Sequence, residues 1–342
     1  MRRLIICCGL SVFLYVLAFT YVLDRPLSLG LLHLQIMQKT QRLASLHSPK
    51  VVILAGSNGP YSHSCVVMGA MLQLPCENAG IAVGIGLDDL FVRYAPLFHR
   101  GDIVYMPMEL QQYSTTQAQY DAGPDGGFLL RQDRTILMQL PGQRILGAIF
   151  CCNLADLLES LVEMPIASSG IINPERLLAN EYDAQGDRID NPLRNADPTL
   201  LKQPPPTTSV RSIVRGYGTV LIKRFVRAET ARGVIVIGGL PTEIATATLS
   251  SAMIRAISDI YTKNGGAFFT LPNHSLYAAQ DFFNGPYHLV QPCQYYNSIA
   301  ISYLLGGQLD RSVLPPGGRV MKIAQTCPVV PASELYAINA AR

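Results

Sequence analysis

Charged residues are scarce in this sequence. Lys, Arg, Asp and Glu make up only 15% of the 342 residues, and the formal net charge is +3. Such a weak positive balance gives no reason to expect a nucleic-acid-binding protein. Hydrophobic residues amount to 49%. The chain can therefore bury a substantial core, in one large domain or two small ones, and disorder is not expected to dominate.

Motifs built from closely spaced cysteines or glycines are also missing. None of the eight cysteines forms a C-x-x-C pair, so neither a zinc ribbon nor a thioredoxin-type site is indicated. His63, Cys65, Cys76 and Glu77 are near one another in the chain, but their spacing fits no standard metal site. The sequence has neither G-x-G-x-x-G nor Gly-Lys-Ser/Thr, which leaves a dinucleotide or P-loop site unsupported. No metal and no cofactor is predicted.

The longest apolar run lies at the N-terminus. Arg2 and Arg3 precede an uncharged stretch, Leu4–Leu23, which is long enough to cross a bilayer as a helix. The arginines favour a cytoplasmic N-terminus, with the rest of the chain outside the cytoplasm. A cleaved signal peptide is the alternative, but the run is long and no clear A-x-A site follows it. We predict an uncleaved single-pass anchor over residues 1–23 and a helical linker over 24–49.

Short apolar runs alternate with helical segments after the linker. Buried strands are predicted at Val51–Leu54, within Pro75–Gly86, at Ile103–Glu109, at Val234–Ile237 and at Ala267–Leu271. This alternation is typical of an α/β protein with a doubly wound, mostly parallel sheet of the flavodoxin-like three-layer kind. We place that domain at residues 50–310, with an irregular, Pro-rich insertion near 173–208 and a C-terminal tail over 311–342.

A second apolar stretch, Ile145–Leu154, raises the question of a second membrane helix. Flanking charges such as Asp156 and Glu159 leave it too short to cross a bilayer, so we predict a buried helix. A further helix is predicted over Ile244–Tyr261. The proline- and glycine-rich segment from Pro315 is predicted to be irregular.

Six cysteines lie outside the N-terminal run. If the domain is exported, Cys65–Cys76 or Cys293–Cys327 could be disulfides, because oxidising compartments allow such bonds to persist. The sequence does not decide the pairing, and buried free thiols are the alternative.

The stretch around Ser57 is the one around which the chain is organised. An apolar strand ends there at a turn, Gly56–Pro60. A serine at the carboxyl end of a central strand lies where open α/β sheets place their ligands. Its hydroxyl can point out of the sheet while nearby N–H groups face a substrate oxygen. Ser57 is therefore either the nucleophile of a hydrolase-like domain or a cap of the next helix.

Four short motifs occur in an order that resembles the SGNH (GDSL-like) hydrolase superfamily. They are Gly56-Ser57-Asn58, Asn78-Ala79-Gly80, Pro107-Met108-Glu109 and Asn284-Gly285-Pro286-Tyr287-His288. In that superfamily the nucleophile follows the first strand, a glycine the second and an asparagine the third, and the base lies in a C-terminal turn. With Gly101-Asp102-Ile103-Val104 and Tyr287-His288-Leu289, the resemblance extends to the membrane-anchored members found in exopolysaccharide systems.

The resemblance implies ester chemistry at Ser57, with His288 as the base and Asn284 near enough to orient it. His63 and His274 are rival bases that their positions favour less. The expected activity is that of an esterase or O-acyltransferase acting on an exopolysaccharide, with cellulose as the expected polymer. The implied partners are a membrane acyltransferase and the cellulose synthase machinery. The implied location is the inner membrane, with the domain in the periplasm.

The remaining site residues would surround the reacting ester. The N–H groups of Ser57 and Gly80 would donate to the oxyanion, and Asn78 would hold the loop beside them. Glu109 would orient His288, bind a sugar hydroxyl, or carry a proton in a buried position.

Two departures from the superfamily pattern support an alternative function. Gly285 stands where an aspartate usually precedes the histidine by three residues, and Glu109 stands where an asparagine is usual. An amide such as that of Asn284 can hold the imidazole tautomer but cannot balance imidazolium charge. An ionised Glu109 would repel an oxyanion. The alternative is a catalytically degenerate domain that serves as an accessory or carbohydrate-binding subunit of a cellulose secretion complex.

Overall fold

The computed structural model describes residues 1–123, 125–197, 201, 208–246 and 249–328. They divide into two units, each assembled from separate stretches of the chain. The N-terminal unit consists of Met1–Gln38, Gly84–Arg93 and Thr116–Ala179. The sheet unit consists of Lys39–Val83, Tyr94–Thr115 and the described part of 180–342.

Short aliphatic runs build the strands of the sheet unit. The strands are β1 (Val51–Ile53), β2 (Cys76–Asn78), β3 (Ile103–Met106), β4 (Ile235–Gly238), β5 (Glu243–Ile244), β6 (Ala267–Phe268) and β7 (Leu276–Tyr277). Five of them pair in the order β2-β1-β3-β4-β6, all parallel, and β5 pairs with β7 in a separate ladder. Every residue of β1 and β3 is buried, as the uninterrupted apolar runs require. The predicted α/β fold with a parallel sheet is confirmed, and its doubly wound arrangement stays a prediction.

The chain reverses its direction of travel across the sheet at β1. It goes from β1 to β2 on one side and later returns to β3 on the other side. Where strand order reverses in this way, the loops after the two adjacent strands diverge and leave a crevice at their carboxyl ends. Ser57 follows β1 and Glu109 follows β3, so both belong to this edge of the sheet.

Helices make up most of the remaining structure. In chain order they are α1 (Arg2–Leu17), α2 (Leu29–Ser45), α3 (Asn58–Ser62), α4 (Cys65–Leu72), α5 (Leu87–Tyr94), α6 (Leu110–Ser114), α7 (Gln117–Asp121), α8 (Gly126–Gln132), α9 (Arg134–Leu137), α10 (Gly142–Ile149), α11 (Leu154–Ser168), α12 (Pro174–Glu181), α13 (Val210–Arg215), α14 (Tyr217–Ala231), α15 (Ser251–Thr262), α16 (Gln291–Gln308) and α17 (Gly318–Ala324). A π-helical turn, Ala18–Val22, continues α1, and short 3-10 turns lie at Ala95–Leu97, Leu193–Asn195 and Ala279–Asp281.

The N-terminal helix has the character that the sequence predicts. Among the described residues, one unbroken helix, Arg2–Thr20, is long and apolar enough to cross a membrane, with a mean hydropathy of 2.1. Helices α10 and α11 meet the same criterion only as a pair, and they are bent by 70° where they join. Helix α2 lies within residues 24–49, where the linker helix is predicted.

The prediction of a buried helix at Ile145–Leu154 is wrong. The structure divides this stretch between α10 and α11, and Leu146, Phe150 and Leu154 are 59%, 58% and 67% exposed. Apolar composition predicts that a segment avoids water, but it does not say whether protein or lipid shields it.

Three other local predictions also differ from the structure. Helix α12 lies inside the predicted irregular insertion and buries Leu178, and α17 lies in the predicted irregular tail, where Met321 packs on the main core. Positions 198–200 and 202–207 of the insertion are outside the described residues. The helix predicted from Ile244 begins only at Ser251, capped by Ser250, because Ile244 pairs with Tyr277 between β5 and β7. Tertiary pairing has overridden local propensity at these positions.

Both possible disulfide pairs are formed. Cys65 at the start of α4 is bonded to Cys76 in β2, and Cys293 in α16 is bonded to Cys327, with S–S distances of 2.04 and 2.02 Å. A third bond, which the sequence did not suggest, joins the adjacent residues Cys151 and Cys152 between α10 and α11.

Candidate active site

Ser57 lies in the turn between β1 and α3. A Cβ on the preceding residue, Gly56, would lie 2.9 Å from Cδ of Glu109, so the turn needs glycine there. Ser57 occupies the N-cap position of α3, yet its side chain makes no capping bond. The alternative role as a helix cap is therefore not what the structure shows, and the half-buried hydroxyl has other partners.

His288 is the first of these partners. Its Nε2 lies 2.8 Å from Ser57 Oγ, although 231 residues separate the two in sequence. The His288 N–H closes a turn by donating to the Gly285 carbonyl at 3.1 Å, which places the ring at the end of β1. The rival base His63 is buried with Nδ1 3.2 Å from the Asn58 carbonyl. Among the described residues, neither it nor His274 hydrogen-bonds Ser57.

Asn284 holds the other side of the imidazole. Its Oδ1 lies 2.6 Å from His288 Nδ1, and it also hydrogen-bonds Tyr61. This pairing places the hydrogen on Nδ1 and leaves Nε2 free to accept from Ser57. A Cβ at Gly285 would lie 3.3 Å from Nδ1, so a side chain there would require the ring to shift slightly. Asn284, one residue earlier, takes the orienting position.

An aromatic ring and a cation shape the surroundings of His288. Tyr61 stacks on the imidazole with ring centroids 3.9 Å apart, and the Arg188 guanidinium lies 5.1 Å from the Tyr61 ring centre. Burial, and to a lesser degree the positive charge of Arg188, lower the pKa of His288 to about 4. The ring is therefore neutral near pH 7, which is the form that can accept a proton.

Sequence reasoning missed Tyr61 and Arg188. Tyr61 lies one helical turn after Ser57 on α3, so helical spacing could have pointed to it. Arg188 lies in the predicted irregular insertion, and no pattern in the sequence connects it with the C-terminal turn.

Glu109 is the second partner of the Ser57 hydroxyl. Its Oε1 lies 3.1 Å from Ser57 Oγ and 3.1 Å from the Asn58 N–H, and Gln111 Nε2 donates to its Oε2 at 3.1 Å. The carboxyl is almost completely buried, with 1% of the residue exposed. Burial raises the pKa of Glu109, and the hydrogen bonds from Asn58, Gln111 and Ser57 oppose this shift. Glu109 thus lies beside Ser57, as its place after β3 predicts.

Hydrogen counting restricts the protonation states of this cluster. The Ser57 hydroxyl has one hydrogen but faces two acceptors, His288 Nε2 and Glu109 Oε1. If the hydroxyl donates to His288, the Glu109 carboxyl must carry a hydrogen and donate to Ser57. If the hydroxyl donates to an ionised Glu109, Nε2 must carry the hydrogen and cannot act as a base. Burial disfavours charge on both Glu109 and His288, so it favours the first state, in which Ser57 is ready to react.

Two more buried groups close to Glu109, one acid and one tyrosine, favour its protonated form. Burial and the charge of Glu109 raise the pKa of Glu243, on β5, to about 7. The pKa of Tyr287 is also raised, by burial and by the charges of Glu243 and Glu109. Among the described residues, Glu243 Oε2 and Tyr287 Oη have no hydrogen-bond partner. Sequence reasoning missed Glu243, which lies immediately before the helix predicted over Ile244–Tyr261 and belongs instead to β5.

Gly80 and Asn78 shape the loop opposite the Ser57 turn. A Cβ at Gly80 would lie 2.8 Å from Pro60 Cδ and 3.0 Å from the Gly56 carbonyl, so the two backbones touch because residue 80 is glycine. The Gly80 N–H faces Asn78 Oδ1 at 3.4 Å, a weak hydrogen bond that a substrate oxygen could replace. Asn78 Nδ2 donates to the Gly59 carbonyl at 3.0 Å, which fits a structural role for Asn78.

The group of described side chains that has metal-ligand spacing includes two sulfurs that are already joined in a disulfide. Among the described residues, Asp281, Cys293 and Cys327 form the group of side chains that has metal-ligand spacing. Its two sulfurs are joined to one another, as are those of Cys65 and Cys76, so none of the four is a free thiolate.

The chain was compared with protein-family models, with curated proteins and with solved structures. None of the three comparisons finds a match. The function is therefore argued from the geometry of the site and from the sequence motifs.

Proposed function

We propose that this chain is a membrane-anchored serine esterase or O-acyltransferase of the SGNH type. The observation that carries the proposal is the hydrogen-bonded series from Ser57 Oγ to His288 Nε2, at 2.8 Å, and from His288 Nδ1 to Asn284 Oδ1, at 2.6 Å. A nucleophile, a base and a group that orients the base are the parts that acyl transfer through serine needs.

The reaction would proceed in two halves. Ser57 Oγ bonds to the acyl carbon of the donor ester while its hydrogen moves to His288 Nε2. The tetrahedral intermediate then breaks its bond to the leaving oxygen, which takes the hydrogen from His288. In the second half, water or a sugar hydroxyl gives its hydrogen to His288 and attacks the acyl carbon. The bond from the acyl carbon to Ser57 Oγ then breaks, and Oγ takes the hydrogen back from His288.

Glu109 would act in its protonated form in this reaction. In the ground state its hydrogen is donated to Ser57 Oγ, and as Oγ bonds to carbon the same hydrogen can turn to the oxyanion. A neutral carboxylic acid in an apolar site can stabilise an oxyanion in this way. The Gly80 N–H would be a second donor. A protonated Glu109 would thus donate a hydrogen bond to the oxyanion, as the asparagine usual at this position in the superfamily does.

The wider assignment combines the site with the fold and the motifs. The strand order β2-β1-β3-β4-β6 supports a doubly wound, SGNH-like arrangement, because a reversal at β1 is typical of such sheets. Arg2 and Arg3 at the start of α1 support an inner-membrane anchor with the rest of the chain in the periplasm. The substrate would be an exopolysaccharide, with cellulose as the first polymer to test, and a membrane acyltransferase or cellulose synthase machinery as partners.

A second candidate function is that of an accessory or carbohydrate-binding subunit with a degenerate site. Two observations favour it: the group that orients His288 is the amide of Asn284, which cannot balance an imidazolium, and the charge of Arg188 opposes protonation of the ring. Both features weaken the base without displacing it from Ser57.

A serine-reactive fluorophosphonate probe, applied to the full-length protein in detergent, distinguishes the two functions. The enzyme requires labelling of the wild type, and loss of labelling in Ser57→Ala and His288→Ala. His274→Asn is a matched control, because it changes an exposed histidine and should label like the wild type. No labelling of folded wild-type protein, judged by circular dichroism, would contradict the enzyme and support the accessory subunit.

A further inference from the structure

Helix α11 has its apolar face on the outside. Leu154, Leu158, Leu161 and Val162 are 67%, 54%, 54% and 61% exposed. Their spacing places them on one side of the helix. The only residue that α11 buries is polar, Ser160. A helix in a water-soluble domain has the opposite arrangement.

The acidic face of α11 is held against the segment that follows the N-terminal anchor. Asp156, Glu159 and Glu163 all form ion pairs with Arg25, with N–O distances of 3.4 Å to Asp156 and 3.6 Å to Glu163. Glu163 also accepts hydrogen bonds from the backbone N–H groups of residues 27–28, at 2.9 and 3.1 Å. These contacts fix α11 at the level where the chain leaves α1, with the apolar stripe turned away.

The junction between α10 and α11 contacts α1 itself. The rings of Tyr15 and Phe150 are stacked with centroids 5.8 Å apart, and Tyr15 Oη donates to the Cys152 carbonyl at 2.6 Å. Tyr15 precedes Leu23, the last residue of the apolar run, by roughly 12 Å at the rise of a helix. The junction is therefore set back from the end of the apolar run by about that distance.

The length of α1 determines whether the α10–α11 junction lies at the depth of the hydrocarbon core. A bilayer has a hydrocarbon core of about 30 Å, which takes about 20 helical residues. Residues 2–14 of α1 are all exposed, but they cover only roughly 20 Å. If α1 spans the membrane, Tyr15 and the residues after it must also lie at hydrocarbon depth. Side chains that pack on Tyr15 share that depth.

We infer that the α10–α11 pair is a second membrane-contact element, seated in the leaflet on the side of the folded domain. Its junction at residues 150–152 enters the hydrocarbon, and the apolar stripe of α11 lies against acyl chains while its acids stay paired with Arg25. Lipid is the occupant because the junction from which the stripe begins packs on α1, which needs lipid around it. This element would restrict the tilt and rotation of the N-terminal unit on the bilayer. The inference does not depend on the proposed chemistry.

The absence of tryptophan from the natural sequence gives a direct test. Single substitutions Phe150→Trp and Leu158→Trp are introduced into the full chain, which is reconstituted into phosphatidylcholine vesicles with or without brominated acyl chains. Leu10→Trp on α1 reports the bilayer interior, and Val220→Trp, an exposed apolar position on α14, is the matched control. We expect bromine to cause a loss of emission at positions 10, 150 and 158, with blue-shifted spectra, and no loss at position 220.

Other outcomes would overturn the inference. Quenching at position 10 without quenching at 150 and 158 would place the helix pair in water. A blue shift at 150 and 158 without bromine quenching would mean that protein covers the stripe. No quenching at position 10 would remove the spanning helix from which the depth was deduced. Circular dichroism of each variant checks that it is folded.

Discussion

Glu109 and Asp125 are both buried carboxyls, but their surroundings are opposite. Asp125, in the N-terminal unit, faces Arg144 Nη2 at 2.7 and 2.9 Å, and the same guanidinium binds Asp88 at 2.7 Å. Glu109, in the sheet unit, contacts a hydroxyl, a backbone N–H and an amide. Within the described part of the chain, it has no ion-pair partner.

The difference shows which buried acid is available for chemistry. Burial raises the pKa of Asp125 as it does that of Glu109, but the guanidinium of Arg144 opposes this shift. Because a guanidinium stays charged at any pH at which the protein is folded, it favours the ionised form of the acid opposite it. That acid then stabilises one packing arrangement and does not exchange protons. An acid with only neutral partners keeps its proton more readily, and next to a nucleophile that proton can be used. The predictions below test this division.

The largest expected effect concerns the paired acid. Arg144→Met leaves Asp125 buried without its cation, and we expect the free energy of unfolding to fall by about 3–5 kcal/mol. Urea unfolding in detergent, followed by circular dichroism, measures it. The double variant Arg144→Met/Asp125→Leu should recover part of the loss, because it also removes the uncompensated charge. Fluorophosphonate labelling of the folded single variant should stay unchanged, and a loss of labelling there would contradict a purely structural role.

The sequence predicted the parts of the fold that depend on local pattern. Val51–Ile53 and Ile103–Met106 are apolar runs between turn residues, and both are strands of the parallel sheet. The predictions from sequence were wrong where tertiary contacts or the surrounding medium determine the structure. Ile244 pairs with a strand that lies more than thirty residues further along the chain, and Leu158 is apolar but exposed. Periodicity shows which side of a helix is apolar, not what medium that side meets.

The candidate site was predictable in its order but not in its contacts. Ser57 could be placed at the carboxyl edge of the sheet because it follows an apolar strand, and His288 was placed beside it by the order of the motifs that resemble the superfamily. The contact of Glu109 with the Asn58 N–H depends on the angle at which two loops leave the sheet, which sequence spacing does not define. Arg188 acts on His288 through the Tyr61 ring, from a segment with no regular pattern.

The unpaired acid should affect the reaction more than the fold. Glu109→Leu removes the proposed donor, so we expect the rate of probe labelling at Ser57 to fall by about 10²–10³-fold, as when one oxyanion donor is lost. Glu109→Gln can donate to Ser57 only by giving up its bond from Asn58, so a smaller loss is expected. Because burial raises the pKa of Glu109, the wild-type rate should fall as rising pH ionises it.

The pH profile separates this role from mere packing. Glu109→Gln has no proton to lose and should lack the fall at high pH. Equal losses in the Leu and Gln variants, with the wild-type profile retained, would show that Glu109 only fills space.

Replacing Asn284 by aspartate would give His288 an acidic partner. The candidate site would then contain an ion pair like those between Arg144 and its acids, Asp88 and Asp125. Asn284→Asp lets a carboxylate balance the imidazolium, and we expect the labelling rate to rise at least about tenfold, since exchanging acid for amide costs a serine triad about 10⁴. Asn284→Ala is the control and should lower the rate, because the ring loses its hydrogen bond. If Asn284→Asp labels no faster than the wild type, the amide is not what limits the base.

The smallest expected effect concerns the cation nearest the site. The pKa of His288 is lowered to about 4, first by burial and then by Arg188, so the base is neutral above that pH and is lost as pH falls through it. Removing the charge in Arg188→Gln should raise this pKa, so that labelling is lost at a higher pH than in the wild type. The shift should be well under the full distance to an ordinary histidine, because burial is the larger cause and because Asp190 and Glu181 already pair with Arg188. Arg227→Gln, which removes an exposed arginine of α14, should leave the profile unchanged. A profile in Arg188→Gln that stays in place or moves to lower pH would mean that Arg188 only packs on Tyr61, and that the neutral state of His288 is set by burial alone.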